Sequence, residues 1–308
     1  VSLHAGGLPL VARARGGTPG EASDCQCSHR TWKSLASREA LARLNADGFA
    51  TIDGVLQGDE LEALRTEACK LLSEGRLLAS MQQRFGRTDK YAFLSEEECL
   101  ELGCAALASA VGGLVEFAQA LHLQTSVAQP GVRGRSLTGA QPPSQPAVRV
   151  PVRVPEKAML AVYDGSGTRY PPHRDNALDG GSPHAAARST LEANARHLTL
   201  VMYLNEGSWD PKDGGALRCH LSAARCPGDP GAGEEAEGCP LDCSGEQGTC
   251  HLDVQPLGGR LVAFFSRELL HEVAPSWRRR WALSLWAEDA RIPPDDPAQI
   301  RSDFAHAP

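Results

Sequence analysis

Apolar positions in this chain follow a helical period in its first half and a strand period in its second. In "SREALARLNADGFATIDGVL", residues 37–56, the spacing predicts a short helix stopped near Gly48, then a strand carrying Phe49 and Ile52. The next segment, "GDELEALRTEACKLLSEG" (58–75), places Leu61, Leu64, Ala68, Leu71 and Leu72 on one helical face, with Gly75 as the stop signal. Such an amphipathic helix needs a sheet to cover. "SEEECLELGCAALASAVGGLVEFAQAL" (95–121) opens with Ser95 and Glu98 at capping-box spacing and predicts one or two further helices. From residue 158 the runs become short, apolar or alternating, and are separated by Gly, Asp, Asn and Pro. "AMLAVYDG", "RHLTLVMYLNE", "GALRCHL", "LDVQPLGG", "RLVAFFS" and "RRWALSLWAED" read as strands of a sandwich or barrel.

Helices first and strands afterwards predict an α+β fold, with antiparallel β-structure buttressed on one face by the N-terminal helices. Residues 1–30, rich in Gly, Ala and Arg without periodicity, are expected to be a flexible tail. Residues 31–147 form a helical support region whose end, from 123, is a long Pro-, Gly- and Ser-rich loop. The β-domain spans 148–290, and 291–308 is a C-terminal tail.

Composition narrows the partners more than the fold. A net charge of −7 argues against broad binding to nucleic-acid phosphates or anionic lipid. No apolar run reaches the ~18 residues needed to span a bilayer, and there is no basic start followed by an apolar core. Neither a nucleic-acid nor a membrane partner is expected. Cytoplasm or nucleus is the default compartment, although the chain begins at Val1 rather than Met. Of 10 cysteines, Cys219, Cys226, Cys239, Cys243 and Cys250 fall within 32 residues. A disulfide-stapled loop, free thiols in a solvated insertion and a zinc clip with His220 or His251 are all open, although no C-x-x-C pair supports zinc. Disulfides there would favour the secretory pathway instead.

The chemistry begins at "YPPHRDNALDGG" (170–181), where His173 and Asp175 stand two apart. With 10 His and 17 Asp in 308 residues, chance alone supplies roughly 0.6 such triplets, and the chain has a second in His251 to Asp253. The triplet therefore needs company. On a strand, residues two apart face the same side, so His173 and Asp175 can address one ion. His271, read as ending an apolar strand region before a turn at Pro275, supplies a second imidazole. Two imidazoles and one carboxylate form the facial triad of non-haem Fe(II) oxygenases, which leaves coordination positions open for substrates. Arg280, nine residues after His271, returns on the next strand as a two-pronged carboxylate donor. Alternation puts Arg280, Ala282, Ser284 and Trp286 toward a lumen, and Trp281, Leu283 and Leu285 toward the helices.

These residues resemble the 2-oxoglutarate- and Fe(II)-dependent dioxygenases, and within them the prolyl hydroxylases that modify the hypoxia-inducible factor. The resemblance runs from about residue 40 to 290, through "MLAVYDGSGTRYPPHRDN", "LTLVMYLNEGSWD", "GGALR", "GGRLVAFFS" and "HEVAPSWRRRWALSLW". It implies a double-stranded β-helix, or jelly-roll, over 148–290. It implies that His173, Asp175 and His271 bind Fe(II), that Arg280 holds the 2-oxoglutarate tail, and that Tyr163 and Tyr203 donate hydroxyls to it. O2 would be the other cosubstrate, with ascorbate as a further ligand. "GRTDKYAFL" (86–94) is similar to the segment before a substrate-covering loop, which puts Arg87 and Asp89, together with Trp286, among substrate contacts. The implied reaction hydroxylates a prolyl residue of a protein or peptide substrate, releasing succinate and CO2. The same chemistry on a small molecule, or a non-catalytic jelly-roll binding module, are the rivals.

Two stretches depart from the pattern: a long polar excursion between Asp175 and Tyr203, and the cysteine-rich insertion at 219–250, whose "CPLDCSGEQGTC" is weakly similar to part of an epidermal-growth-factor-like module.

Overall fold

Local signals account for the first elements of the fold. In this computed structural model, which describes residues 32–79, 88–127, 151–176, 195–221 and 250–292, helix α1 (Trp32–Leu35) precedes α2 (Arg38–Asp47). The Ser37 hydroxyl caps α2 by accepting the Ala40 N–H, and Gly48, at φ 79°, ends it in the left-handed region that glycine enters without strain. Strand β1 (Phe49–Ile52) follows, then α3 (Gly58–Ser73), which buries Leu61, Leu64, Ala68 and Leu71. A hairpin of β2 (Leu78–Ala79) and β3 (Lys90–Ser95) leads to α4 (Glu96–Glu101), whose Ser95–Glu98 capping box is formed in both directions. The capping-box stretch thus yields two helices, the second being α5 (Ala105–Val127). Gly113 in α5 is a point of close approach: a Cβ there would lie 2.0 Å from the Trp32 ring.

The strands that follow are β4 (Val152–Arg153), β5 (Lys157–Tyr163), β6 (Thr168–His173), β7 (Arg196–Tyr203), β8 (Leu217–Leu221), β9 (Cys250–Val254), β10 (Leu261–Phe265), β11 (Leu270–Ser276) and β12 (Arg280–Asp289). They form two antiparallel sheets. The larger runs β1-β10-β7-β12-β5-β3-β2, with β4 also on β12, and the smaller runs β6-β11-β8-β9. Central β12 alternates as its sequence predicts. Trp281, Leu283 and Leu285 join the core shared with α3 and α5, while Ala282 packs between the sheets with Val201, Phe264 and Leu217. The site lies in that second layer.

Several expectations need correction. The support region contributes β3 as well as the expected β1, and the two add to opposite parts of the large sheet. α5 reaches Val127, into the stretch expected to be loop. β6 carries His173 on a strand as the triplet spacing expects but ends before Asp175, and its Pro171 and Pro172 are tolerated because it is the edge of the smaller sheet. β11 runs through Pro275 to Ser276, so His271 opens a strand rather than ending one, and the apolar run before it ends at Phe265. The expected tail at 1–30, most of the loop at 123–150, the excursion after Asn176 and the bulk of the cysteine-rich insertion lie outside the described residues. No described helix is long and apolar enough to cross a membrane.

Candidate active site

The edge strand and its neighbour bring the candidate ligands together. His173 closes β6 and is the Cα partner of His271 on β11. Asp175 stands in the bend after β6 rather than on the strand, so a bend, not strand alternation, turns it toward the imidazoles. The three ligand atoms lie within 4.8 Å of one another, the one such group of His, Cys, Asp or Glu among the described residues. Asp175 Oδ1 is 3.5 Å from His173 Nε2, and Oδ2 is 3.9 Å from His271 Nε2.

Each imidazole is oriented in the same way. Nδ1 of His173 lies 2.8 Å from the Pro171 carbonyl and Nδ1 of His271 lies 3.1 Å from the Leu269 carbonyl. A carbonyl only accepts, so the proton belongs on Nδ1 and the Nε2 lone pair is left for an ion. Tyr170 stacks on His173 and Phe264 covers His271, with ring centroids 3.8 and 4.7 Å apart. Burial, reinforced by the neighbouring His173, lowers the His271 pKa to about 4, which keeps that ring neutral at physiological pH. Burial opposes ionisation of Asp175. The neighbouring His173 and the charges of His271 and Arg196 outweigh it and hold the carboxyl well below the usual range. Its Oδ2 also accepts from the Thr199 hydroxyl at 2.7 Å and from the Trp286 indole N–H at 3.0 Å, and both favour the carboxylate. The Arg196 guanidinium lies 4.1 Å above the Trp286 ring. Two imidazole nitrogens and one carboxylate, converging from one side, fit Fe(II) with positions left open.

Arg280, the first residue of β12, lines the same cavity of about 380 Å³. Only 2% of it is exposed, yet no carboxylate pairs with it among the described residues. Its Nε donates to the Gly215 carbonyl at 2.8 Å and its Nη2 to the Tyr203 hydroxyl at 3.4 Å, and it lies 5.0 Å over the rings of both Tyr163 and Tyr203. A buried cation without a counter-charge is costly, and an anionic ligand removes that cost.

The cavity wall contains His173, Asp175, His271, Arg280, Tyr163 and Trp286 of the residues singled out from sequence. Tyr203 is not part of that wall but sits behind Arg280, fully buried. Asp89 is also fully buried, away from the cavity wall where a substrate contact was expected, and Arg87 lies outside the described residues. The second triplet is accounted for by strand pairing: Asp253 forms a two-pronged ion pair with Arg218, and His251 faces His220 on β8. Cys219 is a buried free thiol, and burial pushes its pKa up to about 12. Sequence reasoning missed Thr199 and Arg196 at the site, and the aromatic wall of Tyr91 and Phe93 at its side. A larger groove of about 720 Å³ beside α4 and α5 carries glutamates but no ligating cluster.

Residues 158–288 match the family described as the 2OG-Fe(II) oxygenase superfamily, a stretch containing the triad, Arg280, both tyrosines and Trp286. Over this stretch the chain matches a 2OG-Fe(II) oxygenase domain. The domain is 33% identical over 135 residues to a hypoxia-inducible factor prolyl hydroxylase of Caenorhabditis elegans, covering 43% of this chain and 13% of the worm protein. It is 32% identical over 141 residues to the prolyl hydroxylase EGLN3 of Mus musculus, covering 45% of this chain and 43% of that one. The match thus spans less than half the length of these relatives. Among solved structures, a Trichoplax adhaerens prolyl hydroxylase in complex with a hypoxia-inducible factor peptide fragment superposes with a TM-score of 0.56 at 20% identity, over 87% of this chain and 96% of that one. A Pseudomonas putida prolyl-4-hydroxylase gives 0.52 at 21% identity, over 81% and 97%. The oxygenase domain therefore has the expected double-stranded β-helix core.

Proposed function

We propose that this chain hydroxylates a prolyl residue of a protein or peptide substrate, consuming 2-oxoglutarate and O2 and releasing succinate and CO2, and that it works in the cytoplasm or nucleus. The observation that carries this reading is the pairing, in one cavity, of the His173, Asp175 and His271 cluster with a buried Arg280 that lacks a carboxylate partner among the described residues. One end suits a metal and the other an anion. Fe(II), when bound, supplies the oxidising chemistry with the 2-oxo acid and O2 as its partners.

The protein's own residues position and shield. Nε2 of His173 and of His271 and the carboxylate of Asp175 would hold the metal. Arg280 would hold the far carboxylate of the 2-oxo acid through its N–H groups not taken by Gly215 and Tyr203. Tyr163, whose ring packs against the guanidinium, would donate its hydroxyl to the same carboxylate. Val201, Phe264, Ala282 and Val273 make the walls apolar and keep water from the reacting centre. No side chain is required as a general base. Tyr91, Phe93 and Trp286 form an aromatic side to the cavity against which a pyrrolidine ring can pack. The chemistry named for the worm and mouse relatives supports the prolyl substrate.

An anaerobic titration with Fe(II) and 2-oxoglutarate, followed by aerobic incubation with proline-containing peptides in the presence of ascorbate, tests the reading. A visible charge-transfer band, then succinate and a peptide carrying one added oxygen, is the expected result. Consumption of 2-oxoglutarate with no peptide modified across a diverse set would move the substrate to another class, a small molecule first. No band and no consumption in folded protein would leave a binding module in place of an enzyme.

A further inference from the structure

Ser266 is linked to the triad through its neighbours, Asn176 and Thr199 on the Asp175 side and its own turn on the His271 side. It opens the turn between β10 and β11 and is completely buried. Its backbone N–H donates to the His197 carbonyl at 3.0 Å, and its own carbonyl accepts the N–H of Asn176, next to Asp175, at 3.1 Å. Asn176 is held a second time, its Nδ2 donating to the Arg196 carbonyl at 2.6 Å. The far end of the Ser266 turn supplies the Leu269 carbonyl that orients His271. One short turn therefore fixes the bend that carries Asp175 and the ring that faces it.

The hydroxyls add a direction to this arrangement. Thr199 Oγ1 lies 2.7 Å from Asp175 Oδ2 and 2.8 Å from Ser266 Oγ, and it has one proton to give. A carboxylate accepts only, so the Thr199 proton goes to Asp175 and the Ser266 proton goes to Thr199. With the Trp286 N–H also on Oδ2, that oxygen accepts from two donors, which hold the carboxylate in one orientation. We propose that Ser266 is a positioning residue for metal binding: its hydroxyl locks the Thr199 rotor toward Asp175, and so fixes how the carboxylate is turned to the metal. The proposal rests on the oxygenase reading of the triad, and it concerns how tightly and in what geometry the metal is held.

Anaerobic Co(II) titration of the whole chain, read by visible absorption and by dissociation constant with no cosubstrate present, tests it in wild type, Ser266→Ala, Thr199→Val, the double variant and Thr199→Ser. Loss of an outer hydrogen-bond partner of a metal ligand weakens binding by about 10-fold or more. Ser266→Ala and Thr199→Val are each expected to show that loss with a changed Co(II) spectrum. The double variant is expected to bind no more weakly than Thr199→Val alone, because both act through one proton chain. Thr199→Ser, which keeps the hydroxyl, is expected to restore wild-type binding. Additive losses, or unchanged Co(II) binding in Ser266→Ala, would overturn the proposal. If Ser266→Ala does not fold, as judged by its metal-free thermal transition, the comparison of Thr199→Ser with Thr199→Val decides, and equal losses sink the relay. A wild-type protein that binds no Co(II) removes the proposal together with the oxygenase reading, whereas wild-type binding with indifferent variants removes the relay alone.

Discussion

Replacing Arg280 with Met separates its cost to the fold from its use in binding. The guanidinium is 2% exposed and spends one N–H on the Gly215 carbonyl and one on the Tyr203 hydroxyl. Its remaining donors are available to a carboxylate in the cavity. Two charge-assisted hydrogen bonds at about 1.5–3 kcal/mol each come to roughly 3–6 kcal/mol. At about 1.4 kcal/mol per tenfold, that is a loss of at least about 100-fold in 2-oxoglutarate affinity. The metal-free protein should not suffer in proportion. Met lies comfortably between two tyrosine rings and removes a buried charge that no described carboxylate balances, so its thermal midpoint should be unchanged or raised. Arg280→Lys keeps the charge but loses the planar fork, and should fall between the two. The assay is anaerobic titration of the Fe(II)-loaded protein with 2-oxoglutarate, beside thermal unfolding of each metal-free variant. The reasoning fails if Arg280→Met binds 2-oxoglutarate within about threefold of wild type, since the hydrogen bonds counted above would then be worth less than about 1 kcal/mol. It fails equally if Arg280→Met melts well below wild type, for the arginine would then be structural.

Trp286→Phe should keep the cavity wall yet remove the N–H that reaches Asp175 Oδ2, weakening Co(II) or Fe(II) binding by about 10-fold while leaving far-UV circular dichroism unchanged; full metal affinity in this variant would sink the role given to the indole. Cys99, fully buried in the helical layer, has its pKa pushed from 9.0 up to about 12, chiefly by burial and then by Cys104 and Glu67. Because its folded pKa lies above the unfolded one, the stability tied to the neutral thiol is complete below pH 9.0 and is lost as pH rises toward about 12. Urea midpoints should therefore fall more steeply above pH 9.0 in wild type than in Cys99→Ala, and parallel curves would refute this. In the native protein at neutral pH, alkylation followed by mass spectrometry should mark exposed Cys69 and spare Cys99 and Cys219.

Much of this fold is legible where a signal is local. Gly48 and Gly75 stop their helices because each takes a positive φ that other residues avoid, and the Ser95–Glu98 box closes because both partners lie within one turn. β12 is legible because its alternation separates Trp281, Leu283 and Leu285 from Arg280, Ser284 and Trp286 over enough residues to fix a face. β6 is legible only through the His173–Asp175 spacing, since Pro171 and Pro172 argue against a strand unless the strand is known to be an edge, and only the assembled sheet shows that. The same holds at the site. The triad and Arg280 are readable because His, Asp and Arg are conspicuous among apolar runs. Thr199 and Ser266 are not, because a hydroxyl inside "LTLVM" or after "AFF" looks like ordinary strand composition until it is seen beside Asp175. Asp89 is the opposite case: in sequence it looks like part of a polar turn, and the fold buries it.

Charge ties the two ends of the cavity into one device. Without ligands, the cavity wall carries one carboxylate at Asp175 and two guanidiniums, Arg280 among tyrosines and Arg196 over the Trp286 ring. A divalent metal at the triad would add two positive charges. A doubly charged 2-oxo acid would cancel them, with one carboxylate toward the metal and the other toward Arg280. Each partner is thus stabilised by the other in surroundings where an uncompensated charge is expensive. Metal and cosubstrate should bind with positive coupling, so that removing the metal weakens 2-oxoglutarate binding by more than the loss of its direct contacts, and by reciprocity 2-oxoglutarate tightens the metal. The same balance explains why a chain of net negative charge buries, in one cavity with its triad, an arginine that has no carboxylate partner among the described residues.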